Sequence, residues 1–308
     1  MQTPIVSIVM PVYNRAERVG AAIESLLMQT FADFELVIVD DGSQDNTPAV
    51  LAHYARQDQR VRLLALPANG GQGLARALGT DAARGRYLAV MDSDDIALPH
   101  RLETQVNWMD MHPNITLAGA NAHKVMQDRT VPMQMPTEDG QIKARLLLTD
   151  CAFVHPTVIM RRDFLRQHNV NYSAERRGDD DYEFYNRMVA AGAMFANMPH
   201  TLLEYNRHGG NISANSPRME QDKTPLRRYV LSLYYPDLTG REVTALARIF
   251  QQGITLSVKD AYAGVLVAEK AMTQLHSQFG EDHTILNSLL QQRLALLNQA
   301  LQRQENNA

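Results

Sequence analysis

Five short apolar runs, each divided from the next by a stretch of helical spacing, leave a chain like this few ways to fold. The runs are Val6–Val12, Phe34–Asp40, 61–66, 87–91 and 116–120. Each is almost continuously apolar, as strands buried on both faces must be. Between the first two, residues 18–29 place Val19, Ala22, Ile23, Leu26 and Leu27 at helical spacing. Asp45-Asn46-Thr47-Pro48 is a capping signal that opens a second helix over 48–56. A third helix covers 74–83, and a fourth starts near Pro99 with Leu102, Val106 and Met109 on its apolar face. This βαβαβ rhythm predicts a mostly parallel sheet with helices on both faces, and ligands at the carboxyl ends of its strands.

Polar residues gather at those ends. Tyr13-Asn14, Asp40-Asp41, Asn69 and Asp92-Ser93-Asp94-Asp95 each follow an apolar run, so they should converge in one crevice. In the last group three carboxylates lie within four residues. They raise one another's pKa unless a cation sits among them. Oxygen-only ligands at a strand end suit a hard divalent ion such as Mg²⁺ or Mn²⁺, which in turn suits a phosphate-bearing substrate. A solvated acidic turn is the bland alternative, and the company of the other strand-end groups argues against it.

Beyond residue 120 the pattern loosens. A mixed stretch over 124–148 is followed by a strand at 157–160, a helix at 181–191 and a strand at 202–206. Past Asn206 the character changes again. Val243, Leu246, Ile249 and Phe250 fit one helical face, Val258, Tyr262, Val265 and Leu266 fit another, and 285–301 is Leu- and Gln-rich at helical spacing. The 308 residues suffice for one large domain with an appendage or for two domains. A net charge of -4 supplies no basic field, so nucleic acid is excluded as a main partner. Cys151, the single cysteine, can form neither an intrachain disulfide nor a cysteine zinc cluster, which fits a reducing compartment. The N-terminal segment has neither a basic stretch nor a small-residue cleavage site, so it does not read as a signal peptide, and no uncharged apolar run reaches a membrane span. The expected location is cytoplasmic, with peripheral contact at the membrane's inner face left open.

Taken together, Pro11-Val12-Tyr13-Asn14, Val39-Asp40-Asp41-Gly42-Ser43, Asn69-Gly70-Gly71, Ala83-Arg84-Gly85-Arg86-Tyr87 and Asp92-Ser93-Asp94-Asp95 resemble the family 2 glycosyltransferases of A-type fold. The match spans roughly residues 4 to 215. The resemblance implies a Rossmann-like α/β catalytic domain over 1–215, divided into a nucleotide-sugar-binding half (1–120) and an acceptor-side half (121–215), with a helical extension over 216–308. It implies inverting, metal-dependent transfer of a sugar from a nucleotide diphosphate donor, usually a UDP-sugar, to a hydroxyl of a glycan or glycolipid acceptor in surface polysaccharide or lipooligosaccharide assembly. The cofactor implied is Mn²⁺ or Mg²⁺, which neutralises the diphosphate leaving group.

The same resemblance distributes roles. Asp94 is the main metal ligand; Asp92 and Ser93 belong to the nucleotide-sugar site, with Asp92 at the ribose or a metal-bound water, and the part of Asp95 stays open. Asp41 faces the base N–H, Tyr13 and Asn14 line the same pocket, and Pro11, Asn69 and Arg76 belong to the nucleotide-sugar site. Arg76 matches the family's Ala-Arg-Asn helix, although Ala77 replaces the Asn. Gly178-Asp179-Asp180-Asp181-Tyr182 resembles the family's Glu-Asp-Tyr-Asp segment. Asp180 therefore stands where Glu is usual and Asp181 where the catalytic base sits, with the register between the two still open. Such a base takes the acceptor's proton as its oxygen attacks C1. Tyr205-Asn206-Arg207-His208 and Asn211-Ile212-Ser213 resemble a Tyr-Arg-x-His-x-x-Ser loop whose histidine reaches the metal or the pyrophosphate, with Asn206 in place of Arg. His155 resembles an acceptor-side position but reads equally as a strand-edge histidine. Trp108, the only tryptophan, reads as core or rim.

Several rivals fail on sequence. Asn69-Gly70-Gly71-Gln72-Gly73 is not a dinucleotide fingerprint, because Arg76 holds the third glycine's place. The loop after the first run lacks the glycines and basic residues of a nucleotidyltransferase. The Gln-x-x-Arg-Trp motif of processive synthases is absent. A non-catalytic sugar-nucleotide-binding or glycan-binding subunit would keep the base pocket but shed the carboxylates, and Asp94 and Asp181 are both present. In the tail, Arg227, Arg228, Tyr229, Tyr234 and Tyr235 lie close together, which suits a membrane surface. A helical cap or a homodimer through the C-terminal helices suits the same residues, since Tyr and Leu at helical spacing are usually core.

Overall fold

A computed structural model describes residues 3–148, 152–175, 179–208, 224–250, 256–273 and 277–305. The chain divides into two compact units, one of residues 1–137 and 153–215 and one of residues 138–152 and 216–308. The helix Asp139–Leu148 therefore groups with the C-terminal helices. By position in the sequence it falls instead within the acceptor-side half expected over 121–215.

The first unit is a mostly parallel α/β sheet with flanking helices, as the strand and helix pattern predicts. Its strands are β1 (Val6–Val12), β2 (Phe34–Asp40), β3 (Val61–Ala65), β4 (Tyr87–Val90), β5 (Ile96–Ala97), β6 (Leu117–Val125), β7 (Thr130–Met133), β8 (Ile159–Arg161) and β9 (Phe195–Asn206). They run in the order β3-β2-β1-β4-β8-β6-β9-β5, with β7 on β6. Strands β1 to β4, β6 and β9 share one direction, and β5, β7 and β8 oppose it. Helices α1 (Val19–Leu27), α2 (Thr47–Gln57), α3 (Gln72–Ala82) and α4 (Arg101–Met111) supply the crossovers, and α6 (Arg162–Gln167) and α7 (Asp180–Ala190) follow later, after α5 (Asp139–Leu148) of the other unit. All seven residues of β2 are buried, which is why its sequence shows no alternation.

The chain leaves β1 toward β2 on one side and reaches β4 on the other, so the sheet's switch point lies outside the carboxyl ends of β1 and β4. At the opposite ends, Ser7 and Glu35 sit side by side in register. The Ser7 hydroxyl donates to the Glu35 carboxylate at 2.5 Å, and Arg84 and Arg62 donate to the other oxygen at 2.6 and 2.7 Å. A buried carboxylate is tolerable there only because it is this well supplied.

Three element readings shift. Residues 157–160 are not one strand: a 3₁₀ turn over His155–Thr157 precedes β8, since Pro156 in its first turn starts a tight turn. Strand β9 begins at Phe195, well before residue 202. Exposed Pro199 and His200 interrupt its apolar pattern where its register on β6 shifts. Strand β6 runs on to Val125 because β7 and β9 flank it. Trp108 packs against the core and stacks on His112 at 3.9 Å.

The second unit contains α5, α8 (Thr224–Tyr234), α9 (Gly240–Ile249), α10 (Val258–Met272) and α11 (His283–Glu305). A capping box between Thr239 and Glu242 starts α9, and Ser257 caps α10. Val243, Leu246 and Ile249 are buried as expected. The face expected of α10 is wrong: Val258, Tyr262 and Leu266 are exposed, and Ala261, Gly264, Val267, Ala268 and Ala271 are buried instead. A Cβ on Gly264 would come within 2.0 Å of Ile249, so small residues let α10 approach α9 more closely than large ones could. Of the tail residues expected at a membrane surface, Arg227, Tyr234 and Tyr235 are buried, and Arg228 and Tyr229 face outward. Among the described residues, no helix is long and apolar enough to cross a membrane.

Candidate active site

The crevice floor is a knot of loops around Asp41. Its buried carboxylate accepts hydrogen bonds from the backbone N–H groups of Gly70 and Gly71 at 2.7 and 2.9 Å and from Asn69 Nδ2 at 2.9 Å. This fastens the loop after β3 beneath the end of β2. Gly42 makes the approach possible: at φ +70° its Cβ would lie 2.5 Å from the backbone of Ala68. Asn14, itself at φ +51°, donates its N–H to Ser43 Oγ at 2.9 Å and accepts from the Gln44 N–H at 2.8 Å. It thus stitches the β1 loop to the β2 loop, and Tyr13 stands beside it with 38% of its surface exposed. Pro11, half-buried in β1, lies behind them.

The acidic tetrad after β4 forms one wall, and its carboxylates differ in their surroundings. The Asp94 side chain is 3.0 Å from His208 Nε2 and 3.5 Å from Arg15 Nε. Asp92 is partly open to the crevice and takes a 3.1 Å bond from Arg76. Burial and the neighbouring Asp94 push the Asp92 carboxyl up, with Arg76 opposing them. Ser93 is buried between the two. Asp95 is buried almost completely, and that burial, with Asp92 beside it, pushes its carboxyl up to about 9. Its Oδ1 accepts the Asn206 N–H at 2.8 Å, and Asn206 Nδ2 donates to the Asp94 carbonyl at 2.9 Å. Asn206 thereby ties the end of β9 to the tetrad and carries His208 to Asp94.

The opposite wall is the start of α7. Asp180 is wholly buried, held by Arg76 Nη1 at 2.5 Å and Gln72 Nε2 at 2.7 Å. Asp181 is half-buried next to it, with one oxygen accepting the Tyr182 N–H at 2.8 Å. Behind them lie Phe153, His155, Tyr172, Phe184 and Tyr185, with Tyr172 stacked on Phe184 at 4.1 Å. His155 is not at a strand edge. It lies buried in the 3₁₀ turn, and burial and then Arg76 hold its ring well below the ordinary histidine pKa. The neutral ring's Nδ1 is 2.6 Å from the Tyr185 hydroxyl.

Among the described residues, no cluster of three His, Cys, Asp or Glu could hold a metal. Two is nonetheless a sufficient protein share for a hard octahedral cation, which keeps waters and takes substrate phosphates for the rest. Adjacent ligands of an octahedron with bonds of about 2.1 Å stand about 3 Å apart, the spacing of Asp94 Oδ2 and His208 Nε2. The residues present fit a divalent cation.

Each described residue expected at the site lies in the first unit, and bonds from Asn14 to Ser43, Asn69 to Asp41 and Arg15 to Asp94 bring the strand-end groups together. Gly178, Asn211, Ile212 and Ser213 lie outside the described residues. Sequence reasoning missed Arg15, although it directly follows Tyr13-Asn14, and missed Gln72, whose partner lies 108 positions away.

The family model described as Glycosyl transferase family 2 matches residues 7–168. The succinoglycan biosynthesis protein ExoO of Rhizobium meliloti (strain 1021) is 34% identical over 287 residues, covering 86% of this chain and 81% of ExoO. The Escherichia coli UDP-Glc:alpha-D-GlcNAc-diphosphoundecaprenol beta-1,3-glucosyltransferase WfgD is 33% identical over 165 residues, covering 54% of this chain and 63% of WfgD. In fold, the chain is similar to the crystal structure of S. aureus TarS 1-349 in complex with UDP-GlcNAc. The TM-score is 0.66 at 17% identity, over 97% of this chain and 91% of that one.

Proposed function

The chain belongs to glycosyltransferase family 2, and on that premise we propose that it transfers a hexosyl group with inversion from a UDP-sugar to an acceptor hydroxyl in polysaccharide or lipooligosaccharide assembly. One observation carries this reading. Arg76 bonds Asp92 at 3.1 Å and Asp180 at 2.5 Å, so one guanidinium joins the acidic segment that pairs Asp94 with His208 to the helix start that carries Asp181.

The roles follow from chemistry. Asp41 presents its remaining acceptor direction to the imide N–H of uracil, beside Tyr13 and Asn14. Asp94 and His208 would hold Mn²⁺ or Mg²⁺, which would supply charge neutralisation on the diphosphate. Arg15, close to Asp94, adds a second positive charge near the same phosphates. Asp181 accepts the proton of the acceptor hydroxyl as its oxygen forms the new bond to C1. The bond from C1 to the diphosphate oxygen breaks on the opposite face, and UDP leaves with that electron pair. The UDP donor and lipid-linked or polymeric acceptor draw support from the names of WfgD and ExoO.

A panel of nucleotide sugars, assayed for nucleotide diphosphate release with and without acceptor extract, tests this. A UDP-sugar should be turned over preferentially. Asp181→Asn should fold, bind UDP normally and lose at least about 10²-fold in transfer, the usual range for a general base. Preference for another nucleotide would reject the donor assignment, and a fully active Asp181→Asn would reject the base.

A further inference from the structure

Asp180 and Asp181 are adjacent carboxylates in the first turn of α7, yet their surroundings are opposite. Asp180 has no exposed surface, and both its oxygens are engaged, by Arg76 at 2.5 Å and Gln72 at 2.7 Å. The second terminal nitrogen of Arg76 reaches Asp92 at 3.1 Å. Three elements therefore meet on one guanidinium: α3 supplies Arg76 and Gln72, the β4 loop supplies Asp92, and α7 supplies Asp180. Arg76 is only 5% exposed, and although burial works against its charge, Asp180 and Asp92 outweigh that and keep it protonated.

A carboxylate placed like Asp180 cannot serve an acceptor hydroxyl, because no solvent-sized group reaches it and a buried charge pair is costly to break. It can hold something else in place. The N-cap residue Asp179 provides no side-chain capping bond, and the first turn of α7 carries Asp180, Asp181 and Glu183 together. Mutual repulsion would loosen that turn unless a cation fixed it. Arg76 neutralises Asp180, with Arg187 3.9 Å from Glu183, and the planar fork of Arg76 spans Asp180 and Asp92 as a lysine could not.

We infer that Asp180 is a positioning residue and that the Asp180–Arg76–Asp92 link is a strut setting the distance between the donor wall and Asp181. This rests on reading Asp181 as the base. Misplacing a reacting group by about 1 Å can cost about 10²-fold in rate. The strut therefore acts on kcat for transfer through Asp181, and hardly on nucleotide affinity.

A double-mutant cycle on the full chain tests this, with Asp180→Asn, Asp181→Asn and the pair measured for transfer, for UDP affinity by calorimetry and for the pH profile. Asp180→Asn should lower kcat by about 10- to 100-fold, leave UDP affinity within about twofold, and keep the acid limb of the profile. Asp180→Glu, which restores the charge, should recover most of the rate. In the Asp181→Asn background, adding Asp180→Asn should cost almost nothing more, as groups acting as a unit are non-additive. If Asp180→Asn retains its full cost there, or erases the acid limb, the strut is overturned. A fully active Asp181→Asn single variant would instead condemn the base assignment on its own. Should Asp180→Asn fail to fold, Arg76→Lys keeps the charge but not the fork and carries the same comparison.

Discussion

Removing the Asp41 side chain should separate the loop bonds it makes from the base contact proposed for it. In Asp41→Ala the N–H groups of Gly70 and Gly71 and the Asn69 amide lose their acceptor together. Gly71 is buried, so its unmet N–H costs about 1–3 kcal/mol, whereas Gly70 and Asn69 can turn to water. Thermal unfolding should register that loss with no ligand present. A carboxylate offers about four lone-pair directions and this one has used three, leaving one for a base N–H. A base N–H bonded there is worth about 1–3 kcal/mol, so the Kd for UDP should rise about 5- to 150-fold. Calorimetric titration should show the same factor for uridine as for UDP, since the lost contact is to the base. Asp41→Asn keeps the shape but sets an amide donor among donors, so it should resemble the alanine variant. If melting falls while UDP affinity holds within twofold, Asp41 is a girder for the loop and not a base contact.

Chelation should abolish transfer, with Mn²⁺ or Mg²⁺ restoring it, and Asp94→Asn should lose several orders of magnitude; full activity in excess chelator would refute the metal site. Glu35 predicts acid sensitivity. Burial raises its carboxyl, but Arg84, Ser7 and Arg62 outweigh burial and lower it beneath the usual 4.5. A lowered folded pKa means stability that is complete above pH 4.5 and lost as pH falls through the folded value. Denaturation followed from pH 7 downward should therefore show an acid limb that Glu35→Gln flattens, at lower stability throughout. Gly42→Ala should destabilise by at least about 1–2 kcal/mol, from the left-handed backbone alone, and weaken UDP binding because Ala68 must move; an unchanged melting temperature would contradict the close approach.

What the sequence alone determined was local. Strands β1 and β2 have the predicted bounds because continuous apolar runs between turn signals have one low-energy outcome, burial on both faces. Strand ends then located Tyr13, Asn14, Asp41 and the tetrad, since a parallel sheet places such ends together whatever the details. Tertiary structure decided everything that depends on which distant groups meet. Asp180 and Asp181 are indistinguishable in sequence, and Arg76, 104 positions away, is what buries Asp180 in an ion pair, while Asp181 is half-buried with one oxygen on the Tyr182 N–H. Asn206 looked like a departure from pattern until its bonds to Asp94 and Asp95 showed it fastening β9 to the tetrad. On α10 the larger apolar stripe lost to Ala261, Gly264 and Ala268 because close helix packing rewards smallness, which no periodicity of hydrophobicity records. Periodicity reports that a residue can be buried; the partner that buries it or leaves it free to react is chosen only when the chain closes on itself.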